Sequence, residues 1–236
     1  IGASRCGKST LYRHLVNSPA VEPALYEEIN YWVDGRDPGV SWYESQFPPI
    51  PAGDPRRTIH SGTPYLHHPD APWRVADGCP SARVVLVLRN PVLRAHAHYY
   101  QGRCLGKIDR SWSEVVTEWL GAYADVPADE LRDVCGRGYI ADGVYLPGVR
   151  RWVESLPADR LLIVQSEHLF ERPSDALRQV STFLGLPEVP VISEPPAPRL
   201  DRFDTTIDPA TRRALEDYYR PHNDALDRYL GRRFGW

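Results

Sequence analysis

A chain of 236 residues with 28 basic and 31 acidic side chains has a formal charge of −3 and a pI near 6.3. That balance excludes the broad cationic surface of a nucleic-acid binder and confines any anion site to a local feature. The length suits one α/β domain, expected to span residues 1–236. The four cysteines (Cys6, Cys79, Cys104, Cys135) are scattered without a C-x-x-C pair, which gives neither metal-ligand spacing nor a disulfide framework. No apolar run reaches the roughly 18 residues of a membrane span, and no signal peptide is recognisable, so a cytoplasmic location is expected. The sequence starts at Ile1 and has no methionine, so a strand feeding the first motif is expected upstream.

In chain order, Gly2-Ala3-Ser4-Arg5-Cys6-Gly7-Lys8-Ser9 comes first and fits G-x-x-x-x-G-K-[ST]. Glycines let a backbone wrap a phosphate while the following helix N-terminus aims N–H donors at it. Lys8 adds a mobile positive charge, and Ser9 adds a hydroxyl. Cys6, beside a helix N-terminus, reads as a tolerated small residue, not a nucleophile. The following helix is expected over Ser9–Asn17. Four prolines and a glycine within Pro48–Pro55 mark a loop, followed by an extended piece at Arg57–His60 and a turn at Ser61-Gly62-Thr63-Pro64.

Arg83–Leu88 is an uninterrupted apolar, β-branched run, expected to be a strand buried on both faces of a parallel sheet. It ends in Arg89-Asn90-Pro91, which opens a helix carrying His96 and His98, both expected to pack or face solvent. Further helices are expected at Trp112–Tyr123, Tyr145–Glu154 and Ser174–Leu184, and a second strand at Leu161–Val164. A proline-rich stretch, Pro187–Pro198, leads to a last helix at Pro209–Leu230. Alternating strands and helices, with the motifs at strand ends, point to an α/β, P-loop NTPase-like three-layer fold. It would have a central parallel sheet with helices on both faces.

Arg89 leaves its strand at the carboxyl end, where open parallel sheets bind ligands, and a guanidinium there can grip a phosphate with two parallel hydrogen bonds. The loop, the run Arg89-Asn90-Pro91-Val92-Leu93-Arg94-Ala95 with Tyr99, and the ending Leu230-Gly231-Arg232-Arg233-Phe234-Gly235-Trp236 together resemble sulfotransferases that use 3′-phosphoadenosine 5′-phosphosulfate (PAPS). The resemblance is to the branch of heparan-sulfate N-/O-sulfotransferase domains and their bacterial relatives. Tyr26-Glu27-Glu28-Ile29-Asn30-Tyr31-Trp32, Gly39-Val40-Ser41-Trp42-Tyr43 and Thr63-Pro64-Tyr65-Leu66 add to it.

The resemblance implies that Arg5, Cys6, Gly7, Lys8, Ser9 and Thr10 hold the 5′-phosphosulfate, and that Arg89 holds the 3′-phosphate. Arg137, Gly138 and Tyr139 would help bind the nucleotide, and the segment with Arg199 and Arg202 would close over it. Glu28 is the implied base; His60, which follows the extended piece, is a second candidate by its chemistry, with a substrate contact or a structural role the favoured alternatives. Asn30, Trp32, Trp42 and Tyr65 are candidate acceptor contacts; Trp32, Trp42 and Tyr43 are expected mainly in the core, with one of them able to floor the cleft of a sugar or aromatic acceptor. Two departures stand out: Arg5 replaces the family's loop lysine, keeping charge without being a proton donor, and Ala97 replaces a serine at the 3′-phosphate, with Arg94 a candidate to compensate.

In-line displacement at sulfur is then the expected reaction, with no metal and with 3′-phosphoadenosine 5′-phosphate as product. The acceptor is expected to be a small molecule, glycoside or lipid-linked sugar, with a carrier protein as partner if the chain belongs to a larger assembly. The alternatives are a P-loop ATP-dependent kinase, since the loop also satisfies the Walker A pattern, and a binding domain without turnover.

Overall fold

The computed structural model describes residues 1–34, 39–131, 138–193 and 206–236. Its elements run α1 (Lys8–Val16), β1 (Val21–Glu28), α2 (Val40–Ser45), β2 (Arg57–Ser61), α3 (Ala71–Gly78), β3 (Val84–Leu88), α4 (Pro91–Cys104) and α5 (Trp112–Tyr123). They continue with α6 (Leu146–Ser155), β4 (Leu161–Gln165), α7 (Ser166–Glu171), α8 (Pro173–Leu184) and α9 (Pro209–Leu230). Contacts divide the chain into two compact units, Ile1–Leu88 with Arg150–Glu194, and Arg89–Val149 with Pro195–Trp236.

In the first unit all described strand pairs are parallel. β3 and β4 pair without a register break from Val84↔Leu161 to Leu88↔Gln165. Leu86, Val87, Leu88 and Val164 are buried, as the apolar runs dictate. Ile1 joins β3 from its other side in parallel register: its nitrogen donates to the Val85 carbonyl (2.7 Å), and its own carbonyl accepts from Val87 N–H (2.9 Å). β1 and β2 form the second parallel pair, with Glu28 opposite Ser61 and an irregularity between Pro23 and Glu28.

Polar side chains tie the loops of this unit to its strands. Arg160 donates to the carbonyls of Ala82 (2.9 Å) and Cys79 (2.7 Å), clasping the turn that enters β3. Trp152, fully buried on α6, donates its indole N–H to the Tyr65 carbonyl (3.1 Å). The Tyr65 hydroxyl donates to the Ile29 carbonyl (2.5 Å), so residues just past β1 are anchored to the core through two aromatic side chains.

The second unit is helical. α4, α5 and α9 bury Val92, Ala95, Tyr99, Val116, Leu215 and Tyr219 in one cluster. α5 starts with a capping box, in which Ser111 and Glu114 satisfy each other's backbone N–H groups. α9 is capped by Asp208, which accepts from Ala210 and Thr211 N–H.

Replacing Trp152 with Phe removes the indole donor and leaves the Tyr65 carbonyl buried without it. A loss of about 1–3 kcal/mol is expected, read as a melting temperature several degrees lower with an unchanged far-UV circular dichroism spectrum. A melt identical to the wild type would contradict the anchoring role.

Candidate functional site

The loop between Ile1 and α1 is shaped by positions that a side chain would spoil. A β-carbon on Gly2 (φ 147°) would stand 2.4 Å from the Val87 carbonyl oxygen. Arg5 takes the left-handed region at φ 67°, and Gly7 follows at φ 91° as the N-cap of α1. A β-carbon on Gly7 would meet Ser166 Oγ at 3.0 Å and the Phe170 ring at 3.3 Å, so the loop lies directly against the end of β4 and the start of α7. Cys6 N–H donates to the Ala3 carbonyl (3.3 Å), and Lys8 Nζ reaches back to the same oxygen (2.9 Å), closing the loop.

The charge pattern suits an anion. No side chain caps α1 and no acid stands in its first turn, while Arg13 and His14 occupy its last turn. The leading N–H groups of a helix have no intrahelical acceptor and carry the positive end of its dipole, so an oxyanion at this terminus meets donors, with no carboxylate in the helix's own first turn. Cys6 is fully buried, as fits a packing residue. Ser9 is exposed and Thr10 is half-buried.

Glu28 is exposed at the carboxyl end of β1, and its Oε1 accepts from Thr63 Oγ1 (2.7 Å). Gly62 makes that turn possible, because a β-carbon there would come within 2.3 Å of the Tyr65 ring. His60 is placed differently from a base. Its Nδ1 lies 3.0 Å from the Ser61 carbonyl, which can only accept, so Nδ1 carries the proton. Nε2 then accepts from the Tyr43 hydroxyl (3.1 Å). Burial pushes the His60 pKa down to about 4. With its lone pair engaged and its basicity depressed, His60 does not serve as a proton acceptor at neutral pH, which removes the base candidate and leaves the structural role.

Of the expected acceptor contacts, Trp32 and Tyr65 are core residues. Trp32 lies edge-on to Tyr31 (4.6 Å) and Tyr43 (5.2 Å), and the Tyr65 hydroxyl is engaged by Ile29. Both lose the acceptor-facing role. Trp42 is 42% exposed and stacks on Tyr31, with ring centres 6.0 Å apart. Asn30 is half-buried, and its Oδ1 has no hydrogen-bond partner among the described residues. Tyr31, unremarked in the sequence, belongs to this cluster through its ring.

The second unit holds the remaining positions. Arg89 directly follows β3, and Asn90 caps α4 by accepting from Val92 (3.0 Å) and Leu93 (3.2 Å) N–H, with Pro91 at the first turn. Ala97 is half-buried on α4. Arg94 is fully buried. Its guanidinium donates to the carbonyls of Tyr139 and Gly138, with the Asp142 carboxylate 4.0 Å away. Arg94 is thus a clamp on backbone, which overturns its suggested compensating role for the serine missing at Ala97.

Gly138 has no room for a β-carbon, which would stand 2.2 Å from Asp142 Oδ1, and Gly102 on α4 makes way for the Tyr139 hydroxyl. Gly138 and Tyr139 therefore lie along α4, the helix that begins beside Arg89. His96 packs on Tyr100 and Trp112, and His98 on Tyr139. Arg137, Arg199 and Arg202 lie outside the described residues. The sequence reading also passed over Tyr145, whose hydroxyl donates to the Arg89 carbonyl (2.8 Å) across 56 positions.

Residues 2–194 match the family described as "Sulfotransferase domain". Human bifunctional heparan sulfate N-deacetylase/N-sulfotransferase 3 is 25% identical over 263 residues, covering 98% of this chain, which spans 29% of that relative's length. Mouse heparan sulfate glucosamine 3-O-sulfotransferase 3B1 is 24% identical, covering 100% of this chain and 63% of its own length. A crystal structure of a sulfotransferase from Alicyclobacillus acidocaldarius shares the fold with a TM-score of 0.79 at 21% identity, covering 98% of this chain and 94% of that one. No helix among the described residues is long and apolar enough to cross a membrane.

His60 also gives a pH signature. Its folded-state pKa of about 4 lies below its ordinary 6.5, so the unfolded chain takes up this proton first. The stability tied to a neutral His60 is complete above about pH 6.5 and is lost as the pH falls toward 4. Melting curves at pH 7 and pH 5 are expected to differ more for the wild type than for His60→Gln, and an equal difference would refute the assignment.

Proposed function

The chain belongs to the sulfotransferase family, and from that membership we propose that it transfers the sulfonate group of PAPS to a hydroxyl or amine of a small-molecule, glycoside or lipid-linked acceptor. The observation that carries the proposal is the Gly2–Ser9 loop, a cradle that β-carbons at Gly2 and Gly7 would fill. It leads into a helix with neither a side-chain cap nor an acid in its first turn. Those features fit the 5′-phosphosulfate of the donor, which supplies a sulfonyl group already joined to a good leaving phosphate.

Arg5 and Lys8 place fixed positive charge at the loop, where negative charge grows on the departing oxygen, and the N–H groups opening α1 add preorganised dipoles. An anion in the loop would draw Lys8 Nζ away from the Ala3 carbonyl. Arg5 neutralises charge without donating a proton. Glu28 takes the proton from the acceptor. Thr63 engages Oε1 and leaves Oε2 as the proton-accepting atom. For the 3′-phosphate we assign Arg89, with Gly138 and Tyr139 contributing to the nucleotide site.

The exposed face of Trp42, backed by Tyr31, is assigned to the acceptor, since a flat aromatic surface suits a sugar or an aromatic ring. Glu27, Glu28, Asp34 and Glu44 in the same part of the sequence favour a neutral acceptor over a polyanion. Family membership disfavours the kinase alternative.

Titration calorimetry is expected to show binding of 3′-phosphoadenosine 5′-phosphate in preference to ATP with Mg²⁺, lost in Arg89→Ala. The reverse preference would overturn the donor assignment. Glu28→Gln is expected to keep nucleotide affinity while lowering sulfonate transfer from ³⁵S-labelled PAPS by about 10²-fold or more across a panel of phenolic and glycoside acceptors. Transfer at the wild-type rate would remove Glu28 as the base. Trp42→Ala is expected to raise the acceptor KM with nucleotide affinity unchanged.

A further inference from the structure

We infer that Tyr145 is a positioning residue that sets the Arg89 guanidinium and thereby the discrimination for a 3′-phosphate on the nucleotide. This rests on the assignment of Arg89 to that phosphate. Arg89 occupies the single step between the end of β3 and the N-cap of α4, where the backbone abandons one hydrogen-bonding pattern before the next begins. The Asn90 side chain and Pro91 fix the helix side of that step. On the Arg89 side, the carbonyl is held by the Tyr145 hydroxyl at 2.8 Å, which restricts the rotation of the peptide plane from which the Arg89 side chain departs.

The environment is built for that contact. Tyr145 is 1% exposed, and its ring is braced edge-on by Trp236 (5.9 Å). Two residues earlier, a β-carbon on Gly143 would stand 2.9 Å from Pro91 Cβ and 2.8 Å from the Tyr219 hydroxyl. Glycine there lets the segment carrying Tyr145 approach the start of α4. The Tyr219 hydroxyl in turn holds the Ile140 carbonyl (2.6 Å), so the turn before Tyr145 is tied down as well. A guanidinium on a mobile backbone loses entropy on gripping a phosphate, whereas one on a pinned backbone has that cost reduced in advance.

The test uses Tyr145→Phe, which keeps the ring and its packing and removes only the hydroxyl. Calorimetry with 3′-phosphoadenosine 5′-phosphate and with adenosine 5′-phosphosulfate, which lacks the 3′-phosphate, is run on wild type, Tyr145→Phe and Arg89→Ala. The expected result is a loss of about three- to tenfold in affinity for the 3′-phosphorylated nucleotide, the effect of one neutral hydrogen bond, with affinity for adenosine 5′-phosphosulfate unchanged. Equal losses for both nucleotides would reveal a merely structural role and overturn the inference, as would no loss for either. If Arg89→Ala itself spares the preference for the 3′-phosphate, the assignment of Arg89 is at fault and the inference falls with it. If Arg89→Ala abolishes the preference and Tyr145→Phe does not, only the inference falls.

Discussion

The Gly2 backbone comes so close to the Val87 carbonyl that a β-carbon would lie 2.4 Å from its oxygen, and the geometry of the loop depends on that approach. Because Ile1 is bonded to β3 on both its nitrogen and its carbonyl, the chain leaves the sheet at a fixed point and turns at once. After the six residues Gly2–Gly7 it enters α1, and Lys8 closes the circuit onto Ala3. The loop is thus held at both ends by backbone and across its middle by a side chain. Its donors are oriented before any ligand arrives, which is the condition under which fixed dipoles stabilise developing charge most effectively. The left-handed Arg5 is the one non-glycine with positive φ among the described residues. Backbone strain of this kind, about 1–3 kcal/mol, persists where surrounding structure over-determines it.

Several buried side chains among the described residues hold backbone in place. Arg94 clamps the Gly138 and Tyr139 carbonyls, Tyr65 the Ile29 carbonyl, Tyr145 the Arg89 carbonyl and Tyr219 the Ile140 carbonyl. The Arg94, Tyr65 and Tyr145 contacts each satisfy a carbonyl in an irregular segment, where leaving the group bare would cost about 1–3 kcal/mol, while Tyr219 is a second donor to the Ile140 carbonyl, which also accepts from Gly143 N–H (2.9 Å). Residues beside Glu28 and Arg89 are among those secured. The side chains proposed for chemistry are thus carried by segments that borrow rigidity from the core, which is how a site composed of loop residues keeps its geometry.

Much of the scaffold was legible in the sequence because it depends on local signals. The apolar runs gave β3 and β4 to within a residue, the glycine-lysine motif gave α1, and Pro209 with Gly231 bracketed α9. β1 escaped because Pro23 and the acids Glu22, Glu27 and Glu28 argue against a strand. What makes it one is pairing with β2, a non-local term that propensity does not contain. At the site, the loop residues were legible for the same reason that α1 was. Arg94 was misjudged because an arginine in a motif suggests a ligand, while its partners at Gly138 and Tyr139 lie more than forty positions away. For His60 the sequence left base, substrate contact and structural role side by side, because only the fold reveals that Tyr43 engages its lone pair. Tyr145 had no local signature at all.

The central claim is that the Gly2–Ser9 loop receives the 5′ end of the sulfonate donor, and a crystal structure with 3′-phosphoadenosine 5′-phosphate tests it most directly. The account predicts the 5′-phosphate against the N–H groups that open α1, with Lys8 Nζ moved from the Ala3 carbonyl onto a phosphate oxygen. A nucleotide bound elsewhere, with the loop empty and Lys8 still closed on Ala3, would contradict it.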